Sequence, residues 1–286
     1  MTRRPFIPPE IPRALRSGAL FVINHSGGKD SQAMTAVLRR IVPSHQLVVV
    51  YAYLPEVLWP DTEAHIRATT RGLEYHRVEA DKTFFDLVEA RGMFPSPRYR
   101  QCTSDLKRGP IHKWLRRYCK AHGIHQVVQC LGMRAEESTD RARRKVLKLD
   151  KRLSKAGRSV YEWLPIHGFT TGEVFATIAG AGQRPHWAYA AGMTRLSCCF
   201  CIMAGRRDLT TAARLRPNLY RRYVALERKL RFTLQCGRRL EETTGIAVPG
   251  NARPARKPQL GRIHVSRIDQ SATPRLGLLP VWWTPR

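Results

Sequence analysis

Apolar residues along the chain fall in short runs, separated by glycine, proline and polar clusters. Ala19-Leu20-Phe21-Val22-Ile23-Asn24 is almost wholly apolar and bounded by turn formers, which predicts a buried strand. A glycine-bearing loop follows at 25–29. Between Asp30 and Val42 the apolar residues Ala33, Met34, Val37 and Ile41 recur at helical spacing, and Pro43 ends the pattern. Residues 46–52 and 73–79 read as further strands, with a helix over 61–72 between them. A long basic helix is expected over 105–122 and a fourth strand over 126–132. Strands alternating with helices predict an α/β fold, with a parallel sheet covered on both faces.

The pattern changes beyond Arg134. Residues 139–158 are dominated by Arg, Lys and small polar residues, which predicts a mobile basic loop. A short helix is expected from Thr171 to Ala179, with Thr170 or Thr171 near its cap and Glu173 in its first turn. From Asp208 to about Leu234 the chain reads as mostly helical, interrupted near Pro217. The expected organisation is therefore an irregular basic arm at 1–18, a nucleotide-binding domain at 19–168, a helical cysteine-bearing region at 169–247 and an irregular Pro/Arg-rich tail at 248–286. Trp282 and Trp283 are candidates to pin that tail. No internal repeat is visible.

Charge changes the picture most. The 286 residues hold 50 Lys and Arg against 22 Asp and Glu, a formal net charge of +28. An anionic partner would relieve the self-repulsion, and nucleic acid is the first expectation because neutralising phosphates releases counterions. A solvated arginine-rich surface is the bland alternative. There is no run of about 18 apolar residues and no export signal, so the expected location is cytoplasmic. Seven cysteines are unevenly placed, three of them in Ser197-Cys198-Cys199-Phe200-Cys201, and such crowding suggests metal or redox chemistry more than disulfides.

Ser26-Gly27-Gly28-Lys29-Asp30-Ser31 lies between the first strand and the first helix. Two glycines allow a sharp turn that brings backbone N–H groups against phosphate oxygens. The helix N-terminus adds partial positive charge, Lys29 a cation, and Ser26 and Ser31 hydroxyls. A purely structural strand–helix turn is the competing reading. His25 adjoins this loop, where it could touch a phosphate or serve only as a satisfied loop histidine. The hexapeptide resembles the Ser-Gly-Gly-x-Asp-Ser fingerprint of the PP-loop ATP pyrophosphatase superfamily, of the adenine nucleotide α-hydrolase-like type. That resemblance implies a doubly wound sheet, binding of ATP with Mg²⁺, and cleavage between the α and β phosphates.

The segment Gly132-Met133-Arg134-Ala135-Glu136-Glu137-Ser138-Thr139-Asp140-Arg141 resembles the Gly-x-Arg-x-x-Glu-Ser-x-x-Arg stretch of the branch related to phosphoadenosine phosphosulfate (PAPS) reductase. Arg134 and Arg141 could clamp phosphate oxygens, and Glu137 could orient an arginine or a magnesium-bound water. Ser138 could equally be only a helix cap.

Cys102 precedes the basic helix in Arg100-Gln101-Cys102-Thr103-Ser104-Asp105-Leu106-Lys107-Arg108-Gly109-Pro110. The segment resembles the first half of the iron–sulfur motif of sulfonucleotide reductases, with Thr103 in place of the second cysteine. Cys198 and Cys201 match the Cys-x-x-Cys second half, with Ile202 in place of the usual glycine. The resemblance therefore implies a cluster, of the 4Fe–4S type, held by Cys102, Cys198 and Cys201. Cys199 is either a fourth ligand or turned elsewhere, which would leave one iron open. Zinc suits a closed cysteine set too, and three inert thiols remain the bland reading. Cys119 and Cys130 read as packing residues.

These features imply an ATP-dependent sulfur-transfer enzyme acting on a nucleic acid (DNA or tRNA), resembling the PP-loop enzymes of DNA phosphorothioation and tRNA thiolation. Lys29, Asp30 and Arg134 are its candidate catalytic residues. A sulfur donor such as a cysteine desulfurase is an expected partner, and a dimer is compatible with the sequence. The first alternative is sulfonucleotide reduction with thioredoxin through Cys236, although Gln235-Cys236-Gly237-Arg238-Arg239 only partly matches the reductase Glu-Cys-Gly-x-His. The second is a non-catalytic nucleic-acid-binding protein on a nucleotide fold.

Overall fold

The computed structural model describes residues 3–155 and 157–249. Six strands form one sheet: β1 Leu20–Asn24, β2 Leu47–Tyr53, β3 Glu74–Glu79, β4 Gln126–Cys130, β5 Leu147–Leu149 and β6 Ser159–Trp163. Their order is β3-β2-β1-β4-β6-β5. All neighbours are parallel except β5, which runs antiparallel to β6. The central strands β1, β2 and β4 are buried almost throughout, which is why they read as unbroken apolar runs. The chain moves outward from β1 to β2 and β3, then returns to the other side of β1 as β4. The doubly wound topology thus has its switch point between β1 and β4, where ligands bind outside the carboxyl ends of strands.

Each face of the sheet has its own core. Phe21, Ile23, Val49, Tyr51, Val128, Cys130 and Trp163 point to one side, where α1 Glu10–Arg16, α2 Lys29–Leu38 and α8 Thr171–Gly180 supply Ile11, Ala14, Met34, Val37, Val174 and Ile178. Val22, Val48, Val50, Val127 and Val160 point to the other, where α6 Gly109–Ala121 supplies Leu115 and Cys119. The third core joins α4 Phe84–Arg91, α10 Arg206–Leu215, α11 Pro217–Leu230 and α12 Leu240–Thr244 to the cysteine segment. Three short helices, α3 Thr62–Thr69, α5 Gln101–Thr103 and α7 Thr139–Ala142, lie on connections, as does α9 Trp187–Ala190. Residues up to Val248 make one compact unit. The expected tail contact of Trp282 and Trp283 lies outside the described residues.

Several expectations are corrected. The arm at 1–18 is not wholly irregular: Pro9 sits at the start of α1, Glu10 occupies its first turn and Arg13 and Arg16 its last, all favourable to the helix dipole. The loop expected over 139–158 contains α7 and the β5 strand, which pairs with β6 as Leu147↔Trp163 and Leu149↔Tyr161. Its charged side chains mark a sheet edge rather than a loop. The basic helix begins with a π-helical turn at Ser104–Arg108 before α6 proper; such widened turns are frequent at functional sites.

Candidate functional site

The phosphate loop sits at the carboxyl end of β1, next to the switch point. Gly27 has φ +80°, and a Cβ there would stand 2.5 Å from Thr62 Cγ2, so both conformation and space require glycine. Gly28 caps α2 without a side chain. The first-turn N–H groups of the helix have no carbonyl to reach within it, and they face the loop with the helix dipole behind them. Ser31 Oγ accepts from Ser26 N at 3.2 Å and donates to Gly28 O at 2.9 Å, which closes the loop on itself. Gly132, just after β4, supports it from below: a Cβ there would lie 2.9 Å from Asp30 C and 3.0 Å from Ser31 N.

His25 is a structural part of this loop. Its Nδ1 accepts from Gly27 N at 3.0 Å, so the neutral ring carries its proton on Nε2. Burial first, and the neighbouring His65 second, lower its pKa to about 3. The buried His186 is lowered to about 4 in the same sense, by burial and then by His65. Unfolded histidines titrate near 6.5, so on acidification the unfolded chain takes up these protons first. The histidine contribution is complete above pH 6.5 and is lost as pH falls toward 3, at up to about 1.4 kcal/mol per pH unit and group. His25→Asn retains an acceptor for Gly27 N–H but does not titrate. Urea unfolding between pH 7.5 and 5 is expected to show a shallower pH slope for this variant; an unchanged slope would remove His25 from the linkage.

Charge in the loop is organised around Asp30. Lys29 Nζ stands 2.9 Å from Asp30 Oδ2, and Arg134 Nε stands 2.6 Å from Asp30 Oδ1. Arg134 also donates to Glu136, to Phe169 O at 3.1 Å and to Thr171 Oγ1 at 3.2 Å. It is 3 % exposed. Burial alone would lower its pKa, but Asp30 and Glu136 outweigh burial and hold it above the ordinary arginine value. Its guanidinium is thus engaged within the protein, pinning Asp30 to the start of α8. Glu137 Oε2 accepts from Arg134 N at 3.0 Å and pairs with Arg141, and Ser138 caps α7 by accepting from Arg141 N.

The cysteines gather beside this loop. Cys102, Cys198 and Cys201 are partly exposed and pack against one core, whereas Cys199 is turned inward, with Arg216 Nη1 3.9 Å from its sulfur. Burial raises the pKa of Cys102 and Cys198, with Lys107 opposing, and pushes Cys199 up to about 12. Among the described residues, no three His, Cys, Asp or Glu side chains form a ready site for a single metal ion. Cys236 is exposed in the turn after α11, and Gln235 Nε2 ties that turn to Ile202 O at 3.2 Å and Ala204 O at 2.8 Å.

One residue that the sequence did not bring forward links the two halves. The Tyr189 hydroxyl accepts from Lys29 N at 3.0 Å and from Leu196 N at 3.3 Å. Leu196 in turn packs on Gly27 and Gly28. The phosphate loop and the segment carrying Cys198 and Cys201 are therefore bolted together through a single phenol. Cys199 N additionally donates to Val57 O at 2.8 Å, which fixes the segment to the connection after β2.

Comparison with known proteins agrees with this geometry. The chain is 30% identical over 165 residues to an uncharacterised 37.8 kDa protein of Escherichia phage 186, covering 56% of this chain and 46% of the relative. It is 22% identical over 210 residues to an uncharacterised protein of Methanocaldococcus jannaschii, covering 70% and 45%. The chain thus spans less than half the length of either relative. Among solved structures it is similar to PAPS reductase of Candida auris in a phosphate complex (TM-score 0.43, 13% identity, 68% of this chain and 88% of that one). It is also similar to FMN adenylyltransferase of Candida glabrata with FAD and inorganic pyrophosphate (TM-score 0.43, 12% identity, 68% and 59%). The family model for the phosphoadenosine phosphosulfate reductase domain matches residues 21–204, which contain the phosphate loop, the Arg134 network and the cysteines Cys102, Cys198 and Cys201, and the chain belongs to that family.

Proposed function

We propose that the protein activates an oxygen of a nucleic acid with ATP, releasing pyrophosphate, and replaces that oxygen with sulfur as AMP leaves. The observation that carries this reading is the Tyr189 bridge, which holds an intact ATP-type loop against a set of three thiols. In this reading Gly28 and the first turn of α2 bind the triphosphate with its Mg²⁺, and Lys29 offsets the charge that builds up on departing pyrophosphate. Asp30 orients Lys29, and Arg134 orients Asp30.

Cys102, Cys198 and Cys201 would hold an iron–sulfur cluster, which when bound supplies an iron able to carry hydrosulfide. The fit rests on the donor chemistry and on a set of thiols in mutual electrostatic reach. A single zinc ion needs its donors within about 2.3 Å of one point, whereas a cluster is several atoms across and suits a wider set. The inward-turned Cys199 leaves three ligands and one open iron.

Anaerobic purification with iron and sulfide analysis, followed by assay of ATP conversion to AMP with and without DNA or RNA, tests the reading. Serine at Cys102, Cys198 or Cys201 is expected to lose iron, while Cys199→Ser keeps it. Stoichiometric zinc without iron would overturn the cluster. The nucleic-acid arm has its own test. Arg141 is paired with Glu137 and Lys148 with Glu162, so the exposed Arg143, Arg144 and Lys145 remain to contact phosphates. Neutralising these three is expected to flatten the salt dependence of binding by a log–log slope of about 0.7–0.9 for each phosphate that the protein no longer neutralises. No binding of DNA or RNA at about 0.1 M salt would sink this arm.

A second reading, sulfonucleotide reduction with thioredoxin, is favoured by the exposed Cys236 on a turn tethered to residues just after Cys201. PAPS reduction that disappears in Cys236→Ser would select it.

A further inference from the structure

Tyr223 lies at the centre of the third core, on the buried face of α11. Its ring is fixed on several sides. Phe94 stacks on it at 6.2 Å and 14°, Phe84 at 5.7 Å and 29°, Phe85 meets it edge-on at 5.2 Å, and Phe200 lies at 5.0 Å. None of these rings offers an oxygen or nitrogen acceptor, and the packing leaves the phenol little freedom to turn. The side chain is fully buried, yet its hydroxyl has no hydrogen-bond partner among the described residues.

An unpartnered buried hydroxyl is costly and calls for an explanation. Six buried side-chain polar atoms lack partners among the described residues. Tyr223 stands apart because all four thiols of the cysteine set bear on its hydroxyl. Burial first, then Cys198, Cys199, Cys201 and Cys102, raise its pKa well above the ordinary phenol value. The phenol therefore keeps its proton. Neutral thiols are poor acceptors, so this protonated donor is matched to a more negative sulfur. Phe200, whose ring touches Tyr223, lies between Cys199 and Cys201 in the chain and ties the phenol to the cysteine segment itself.

We infer that the Tyr223 hydroxyl is a positioning hydrogen-bond donor to anionic sulfur held at the Cys102, Cys198 and Cys201 site, either a ligand thiolate or an inorganic sulfide. The inference rests on the cluster reading above and goes beyond it by naming the group that tunes the site from its buried side. A donor aimed at cluster sulfur stabilises the more negative reduced state, so its removal lowers the reduction potential.

The test uses the full chain, reconstituted anaerobically with iron and sulfide. Tyr223→Phe keeps the ring stacking and removes only the oxygen. It is expected to bind the same amount of iron as the native chain while its potential moves negative. In the native protein, exchange into D₂O is expected to shift the Fe–S stretching frequencies, and that shift is expected to vanish in Tyr223→Phe. The D₂O measurement on the native chain stands alone if the variant proves unstable. Equal iron with unchanged potential, or native stretching frequencies insensitive to D₂O, would overturn the role of Tyr223 while leaving the cluster in place. A native chain that takes up no iron would overturn the cluster reading and this role with it.

Discussion

Alanine at position 29 is expected to reduce pyrophosphate release from ATP by about 10²–10³-fold, the usual loss when one preorganised donor is removed from a site of developing charge. Lys29 is 5 % exposed, and its ammonium is directed by the carboxylate of Asp30. The backbone of the loop does not depend on it. Gly27 N is held by His25, Lys29 N by Tyr189 and Ser26 N by Ser31. The carboxylate left behind keeps Arg134 at 2.6 Å. The stability loss is therefore expected to fall below the roughly 3–5 kcal/mol that follows when a buried charge is stranded. Pyrophosphate release and urea unfolding measured on the same preparation separate the two effects. Turnover that survives in a folded Lys29→Ala protein would remove the loop from the chemistry.

What can be read from the sequence follows physical lines. Strands buried on both faces announce themselves as apolar runs, so β1, β2 and β4 stand out. The phosphate loop is contiguous, so its glycines, lysine and serines can be recognised together. The α4 helix carries a local signal in the Thr83–Asp86 capping box and in Gly92 in the left-handed region at its end, although its apolar spacing alone does not disclose it. Residues 147–149 and 159–163 are harder. They form an edge hairpin with exposed Lys148 and half-exposed Ser159, Tyr161 and Glu162, so the charge that suggests a loop belongs to the solvent side of a sheet. Tyr189 cannot be found by spacing at all. It meets the loop from 160 residues away along the chain, and nothing local distinguishes it from any other half-buried tyrosine. The resemblance brings out Arg134 as a residue, but its surroundings give it a different emphasis. An arginine after a strand reads as a phosphate clamp; one with two carboxylates, a carbonyl and a threonine hydroxyl around it is a strut.

That difference has the largest expected consequence for stability. Arg134→Ala removes a buried guanidinium that joins β4, the phosphate loop and the start of α8. Breaking a buried, hydrogen-bonded ion pair from one side costs about 3–5 kcal/mol. The lower end is expected here, because Asp30 keeps Lys29 and Glu136 keeps the N–H and hydroxyl of Thr171. For a chain of this size each kcal/mol lowers the melting temperature by roughly 2–4 °C, so a fall of roughly 6–12 °C is expected from about 3 kcal/mol. Arg134→Lys keeps a positive charge near Asp30 but cannot fork to Glu136, Phe169 O and Thr171 together, and it is expected to recover only part of the loss. A clamp would behave otherwise: its removal would weaken ATP binding or turnover while leaving the unfolding midpoint unchanged. Thermal unfolding of the apoprotein beside the KM for ATP distinguishes the two. A melting temperature within about 2 °C of the native chain, together with a large loss in kcat/KM, would return Arg134 to the phosphates.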